Sequence, residues 1–419
     1  MNDAEVLSRV IYKNPSDFFQ IFFGFGDVQS LNEQYLSSTT YWSHDKGWMF
    51  SDTRNVIRVN AIFHWMAFNN PRVVLLFNIL ICLLGLRWIY EGLTQNTASR
   101  KNWLFVLIFF LPSTLLWTAN LSKEAFLLFG LGLVMRNILT GRHIHFSTLI
   151  GLLILFLFKP YVGAAFLFSW VVYILMMQQN KIWRIASLAL FALSIGLAAY
   201  FTQSRITQSI SQKQFDFINL AEGGIWLEFN GSAVRIEDQD TIHIQITEAD
   251  NRNFYAVISE PIQVEKRIHG SKSEAINIAP SKHEFYVLHQ LHQSGSYIPL
   301  KVIDGKCSNL VKTIPNALFN TLFRPLPNDP PKSLSKWYFV LESYLLLALT
   351  MFALTKIRGT NHVKVIIFLG VACLLIALII GWITPVLGAI IRYKLPITLS
   401  LIAASYLLLF PQKKQQKFT

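Results

Sequence analysis

The sequence predicts a mainly α protein, a polytopic helical membrane bundle of about nine spans with a small α+β extracytoplasmic insertion. Three observations lead there. Of 419 residues, 53% are hydrophobic and only 15% charged, with a mean hydropathy of +0.39, well below the charge of soluble domains. Several apolar runs approach the ~20 residues needed to cross a bilayer. The cations fall into alternate loops. The net charge of +13 is therefore read as topology, because Lys and Arg in short loops orient a membrane protein, and no nucleic-acid partner is expected. Cys82, Cys307 and Cys373 give no disulfide framework, since two lie in apolar runs and one stands in a polar segment.

Residues 1–71 form a polar and aromatic extracytoplasmic N-terminal loop region without a span, in which FFQIFFGFG is apolar but too short to cross and is placed at the interface. The first transmembrane bundle covers 72–201, with spans at 72–93, 103–119, 121–139, 145–158, 162–177 and 183–201. The second covers 336–410, with spans at 337–354, 363–382 and 395–410, before a cytoplasmic tail at 411–419. Nine crossings put Arg100, Lys101, Arg136, Arg142, Lys181, Arg184, Lys356, Arg358, Lys364, Lys413, Lys414 and Lys417 on one side, which the positive-inside rule makes cytoplasmic. Residues 1–71 then lie outside with no signal sequence before them, so one further span is expected upstream, the alternatives being a re-entrant segment within 1–71 or a miscounted short span at 145–158.

Residues 202–335 read as an extracytoplasmic α+β insertion with a membrane-surface segment. Alternation on both sides of Asn230-Gly231 in IWLEFNGSAVRI is a strong hairpin signal. TIHIQIT and 254–259 follow as strands, SKHEFYVLHQLHQ at 281–293 as an amphipathic helix, and PNALFNTLFRP as a segment along the membrane surface.

The stretch FLPSTLLWTANLSKEAFLLFGLGL, 110–133, organises the chain, because it sets Lys123 and Glu124 in a polar turn between two apolar runs. Ionisable residues so placed point to function. The plainer reading is a helix start, with Ser122 as its cap and Glu124 favoured by the helix dipole. On that same face lie Lys159, Arg392 and Lys394 in tight turns, and Arg54 and Arg58 just before the first span. Such cations either snorkel to headgroups or converge on a phosphate, for which Arg offers forked donors and Lys a point charge. The acids of that face are Asp27, Asp45, Asp52, Glu124 and, inside the seventh span, the bundle acid Glu342. Each can serve as a general base towards an acceptor hydroxyl or ligate a divalent cation, Mg or Mn, that bridges phosphates. On this reading Glu124→Gln leaves folding intact and removes activity, while Ser122→Ala costs about 1 kcal/mol of helix stability. His283, His289, His292 and Glu284 share part of a helical face, where a solvated surface outweighs a metal site, and no metal is assigned. No P-loop, dinucleotide, Cys-x-x-Cys or nucleophile-elbow motif occurs.

LPSTLLWTANLSKEA resembles the outer-turn motif of bacterial membrane proteins related to the GT-C glycosyltransferases, and SDTRNVIRVNAIFHWM, PNALFNTLFRP and ITPVLGAIIRYKLPI are similar to further blocks of that group. The resemblance covers most of the membrane portion. It implies an enzyme of the bacterial inner membrane that moves a sugar from a polyprenyl-phosphate carrier to a glycan, lipid or protein acceptor outside. In such enzymes one catalytic acid follows the first span and a second lies in the next outer loop. Glu124 matches the second, and either Asp27 or Asp52 stands in for the first or that acid belongs to the segment expected upstream. Lys123, Lys159, Arg392, Lys394, Arg54 and Arg58 then hold the carrier phosphate. The alternatives are a polysaccharide ligase or polymerase with a lipid-diphosphate donor, and a non-catalytic envelope scaffold or flippase-like component.

Overall fold

The computed structural model describes residues 2–39, 41–44, 51–95, 102–229, 232–236, 244–250, 253–268, 272–303, 305–356 and 362–410. The first helices are α1 (Asn2–Lys13), α2 (Pro15–Phe23), α3 (Val28–Leu36), α4 (Tyr41–His44), α5 (Asp52–Met66) and α6 (Pro71–Thr94). Then come α7 (Asn102–Phe109), α8 (Pro112–Thr118), α9 (Lys123–Leu139), α10 (Phe146–Phe158), α11 (Pro160–Met177) and α12 (Lys181–Glu222). Strands follow as β1 (Gly224–Phe229), β2 (Ser232–Ile236), β3 (Ile244–Asp250), β4 (Asn253–Ile258), β5 (Ile262–Ile268), β6 (Lys272–Ile278) and β7 (Ser281–Leu291). The chain closes with α13 (Cys307–Lys312), α14 (Ile314–Leu322), α15 (Leu334–Leu354), α16 (Val363–Ile383), α17 (Leu387–Tyr393) and α18 (Leu395–Leu409). The protein is thus mainly helical with one small sheet. It divides into two compact units, Met1–Leu188 with Leu345–Ile376 and Leu395–Thr419, and Ala189–Tyr344 with Ala377–Lys394.

In the first unit, the region expected to be an N-terminal loop is helical. Its helices are short but well punctuated. Asn14 accepts from Ser16 N ahead of Pro15, Asp27 accepts from Ser30 N, and Ser51 accepts from Arg54 N, each satisfying a backbone donor at a helix start. FFQIFF is helix α2, which buries Phe18 and Ile21 and leaves Phe19 and Phe23 exposed. Leu7, Ile21, Leu36, Trp42, Ile57 and Ala61 pack α1 to α5 together. Short capped helices carry too little hydropathy to register as spans, so sequence reading missed them.

Helix α9 is the centre of this unit, with 13 of its 17 residues buried. Glycines let its neighbours approach to backbone contact. A carbon added at Gly85 of α6 would meet Leu128 O at 2.2 Å, and one at Gly132 would meet Gly85 O at 2.3 Å. On the α10 side, one at Gly130 would meet Gly151 O at 2.9 Å. These contacts also set direction. Gly92 meets Arg136 and Gly85 meets Leu128, so α6 and α9 run parallel. Asn137 donates to Ser147 while Lys159 donates to Glu124, so α9 and α10 run antiparallel. Parallel α6 and α9 require the chain to travel back between them, through α7 and α8. The C-terminal ends of α6 and α9 therefore gather at one end of this unit, where Trp170 of α11 donates to His143 O, and Lys123, Glu124 and Lys159 at the other.

Gly132→Ala is expected to lower stability by about 1–3 kcal/mol, the usual cost of overfilling a packed contact, read as a lower thermal midpoint of the purified chain in detergent. Gly370→Ala, where an added carbon meets nothing within 4 Å, serves as the control and should leave the midpoint in place. Equal midpoints for the two variants would show that α6 and α9 do not touch at these glycines.

Fewer helices are long and apolar enough to cross a membrane than the nine expected. Among the described residues five qualify, α6, α11, α12, α15 and α16, or six if the bent pair α17–α18, angled at 48°, counts as one. The difference has local causes. Pro112 breaks 103–119 into α7 and α8 through an extended Leu111, as expected from its missing donor and ring clash. Helix α9 carries Lys123, Glu124 and Arg136, and α10 has 13 residues. Conversely, α12 does not stop near residue 201. It runs 42 residues and ends where Gly223 takes φ 73°, a left-handed stop that glycine permits.

The second unit holds an antiparallel sheet in the order β3-β4-β7-β1-β2-β5-β6. Strands β1 and β2 pair Ile225 with Ile236 and Phe229 with Ser232, the expected hairpin, whose Asn230-Gly231 turn lies outside the described residues. Ile225, Val234, Ile236, Ala256, Ile258, Ile262 and Ile278 form its core. Of TIHIQIT, residues from Ile244 onward lie in β3, and 241–243 are outside the described residues. The segment 281–293 is corrected from helix to strand: β7 pairs with β4 on one edge and β1 on the other. Two open strand edges satisfy its backbone on both sides, which outweighs its 3.6-residue pattern. The helical face proposed for His283, Glu284, His289 and His292 does not form. Helix α14, expected along the membrane surface, packs on the end of α16, where Thr321 donates to Ala377 O at 2.7 Å.

Candidate functional site

Two helix starts and one turn in the first unit bring the chemistry together. Lys123 and Glu124 open α9, Asp52 opens α5 behind its Ser51 cap, and Lys159 occupies the turn that joins α10 to α11 ahead of Pro160. Lys159 Nζ lies 2.8 Å from Glu124 Oε1, and the two side chains are 4% and 0% exposed. Lys123 Nζ lies 2.5 Å from Asp52 Oδ2 and 3.2 Å from Thr53 Oγ1. That outer pair is open: Lys123 is 25% and Asp52 38% exposed. Asn55 Nδ2 donates to Leu157 O at 2.9 Å, tying α5 to the end of α10, and Arg58 donates to Asn55 Oδ1 at 3.2 Å.

The arginines rest on an aromatic floor. The guanidinium carbons of Arg54 and Arg58 lie 5.3 and 5.0 Å from the ring centre of Trp42, within cation–π range. Arg54 is half-buried and also donates to Trp42 O at 3.2 Å, while Arg58 is buried. Burial, reinforced by the neighbouring Arg54 charge, pushes Arg58 down to about 10. It remains cationic at neutral pH. Asp52, Arg54 and Lys123 are part-exposed, whereas Arg58, Asn55, Glu124 and Lys159 are buried. Part-exposed cations can bind a phosphate, and an open carboxylate can accept a proton. Further along α5, burial also lowers His64 from its ordinary 6.5, against an opposing pull from Glu5.

The remaining predicted residues lie elsewhere. Asp27 is exposed and caps α3, a structural use of its carboxylate. Asp45 lies outside the described residues. In the second unit, Lys394 is buried and donates to Arg324 O at 2.8 Å and Ser343 Oγ at 2.7 Å, with the buried Glu342 close enough to act on its charge. Arg324 also pairs with Asp329 at 2.8 Å, and Lys336 donates to Pro327 O and Asp329 O. Two lysines thus pin the 324–331 loop. Arg392 is half-buried on α17. Ser122 precedes α9 but makes no side-chain cap, its hydroxyl facing Trp117 O at 3.5 Å, so the expected cost of Ser122→Ala is withdrawn. Among the described residues no group of three or more His, Cys, Asp or Glu side chains is placed to hold a metal.

Sequence reading missed Trp42, Asn55 and Asp3. Asn55 and Arg58 stand three apart on one helix, a spacing that puts them on one face and was legible. Trp42 and Asp3 meet across 39 residues, with no local signal. Comparison with family models, with curated proteins and with solved structures gives no match.

Proposed function

We propose that this chain is a membrane glycosyltransferase of GT-C type, which moves a sugar from a polyprenyl-phosphate carrier to a glycan, lipid or protein acceptor at the outer face of a bacterial inner membrane. The observation that carries this is the open Asp52–Lys123 pair beside the sealed Glu124–Lys159 pair, at one end of a bundle of apolar helices. A lipid carrier presents its phosphate at that level while its alkyl chain runs among the helices.

Roles follow from exposure. Lys123 and Arg54 take the phosphate oxygens. Asp52, the most open acid of the group, accepts the proton of the acceptor hydroxyl as its oxygen bonds to the anomeric carbon. The bond from that carbon to phosphate breaks, and the carrier phosphate leaves against the two cations, where little water screens them. Glu124 is sealed against Lys159 and acts as the support that holds α9 and the α10–α11 turn in place. One open carboxylate is too few to hold a Mg or Mn ion by the protein alone, so no step is assigned to one. The proposed orientation takes Arg136, Arg142, Lys181 and Arg184 as cytoplasmic cations, with 1–71 and 202–335 outside and the C-terminal tail in the cytoplasm.

The test is turnover by the purified chain in vesicles supplied with polyprenyl-phosphate sugars and a mixed glycan acceptor. Release of sugar-free polyprenyl phosphate with a labelled acceptor is the expected result. Turnover of lipid-diphosphate donors alone would replace this reading with a ligase. Failure of the chain to bind either carrier would overturn it and leave an envelope scaffold.

A further inference from the structure

We propose that Trp42 is a positioning residue for the phosphate site, and that Asp3 acts one step behind it. Trp42 is 1% exposed, among the largest fully buried side chains of the described residues, and it is held at every polar point that surrounds its ring. Asp3 Oδ2 accepts from the backbone N–H of Tyr41 at 2.7 Å and of Trp42 at 2.9 Å. The indole Nε1 donates to Asn32 Oδ1 at 3.0 Å. The Trp42 carbonyl accepts from Arg54, and the ring carries both Arg54 and Arg58.

The physical consequence is a fixed guanidinium. A free Arg side chain samples many rotamers, and ordering it on binding costs affinity. Here the carbonyl of Trp42 and its ring face fix Arg54 from two sides before any anion arrives. Two like charges on one ring also repel, so an anion at Arg54 offsets that repulsion. Helix α1 thereby belongs to the site. Its carboxylate at Asp3, buried to 3%, sets the backbone of Trp42, which sets Arg54, which meets the ligand.

This inference rests on the phosphate-binding reading of Arg54, and the experiment separates the two. The probe is a short-chain polyprenyl phosphate titrated into the full chain in detergent, with inorganic phosphate run alongside to distinguish headgroup recognition from lipid partitioning. Arg54→Ala should weaken binding at least tenfold. Trp42→Leu and Asp3→Asn should each weaken it about three- to tenfold, and neither should weaken it further once Arg54 is Ala, because each acts through that side chain. Trp42→Phe, which keeps a ring face and fits the same core, should recover most of the affinity and covers the case in which the leucine variant fails to fold. If Arg54→Ala binds as well as wild type, both the phosphate reading and the platform fall. If Arg54→Ala weakens binding but Trp42→Leu and Asp3→Asn do not, or if their losses add to that of Arg54→Ala, the platform alone is overturned.

Discussion

Replacing Glu124 with leucine is expected to destabilise the chain by about 3–5 kcal/mol, the cost of stranding a buried partner charge. Lys159 is 4% exposed and 2.8 Å from the carboxylate, so its ammonium has no route to water without moving the α10–α11 turn. The measurement is the unfolding midpoint in denaturant of the detergent-solubilised protein. The companion variant, Glu124→Leu with Lys159→Met, should recover most of that loss, since replacing both partners of a buried pair with apolar groups of similar volume is often close to neutral. A full loss in the double variant would mean the pair does more than neutralise itself. The same geometry revises the expectation for Glu124→Gln. Sequence reading held that change silent for folding, but an amide removes the negative charge that the buried Lys159 faces at 2.8 Å.

Asp52→Asn is the converse case, with a small structural effect and a large chemical one. Its pair with Lys123 is partly solvated, and such pairs contribute about 0–1 kcal/mol, so the midpoint should barely move. Removing a general base typically lowers turnover by about 10²–10⁴-fold. Transfer from a polyprenyl-phosphate sugar should fall by that factor while carrier binding persists through Lys123 and Arg54. Wild-type turnover in Asp52→Asn would remove the base from this site and with it the division of labour between the two acids.

What the sequence made legible was chemistry placed in strong local context. Pro160 after Lys159, Asn70-Pro71, and the polar turn before α9 each mark a helix boundary with a physical cause, and the two charges they expose do meet. Strand β7 was not readable, since its pattern suits a helix and only its neighbours on both edges decide otherwise. Neither was the floor beneath Arg54. Asp3, Asn32 and Trp42 come from separate helices, and nothing near any of them announces the others.

The Glu124–Lys159 pair also carries a sense of time. Its members are 35 residues apart in the chain, and at a synthesis rate of about 5–20 residues per second the carboxylate is made roughly 2–7 s before its partner. During that interval Glu124 lacks the Lys159 ammonium and has the first turn of α9 to favour its charge. Arrival of Lys159 then draws the start of α9 and the new turn inward together. The newborn chain thus makes the acid of this pair first and its cation second.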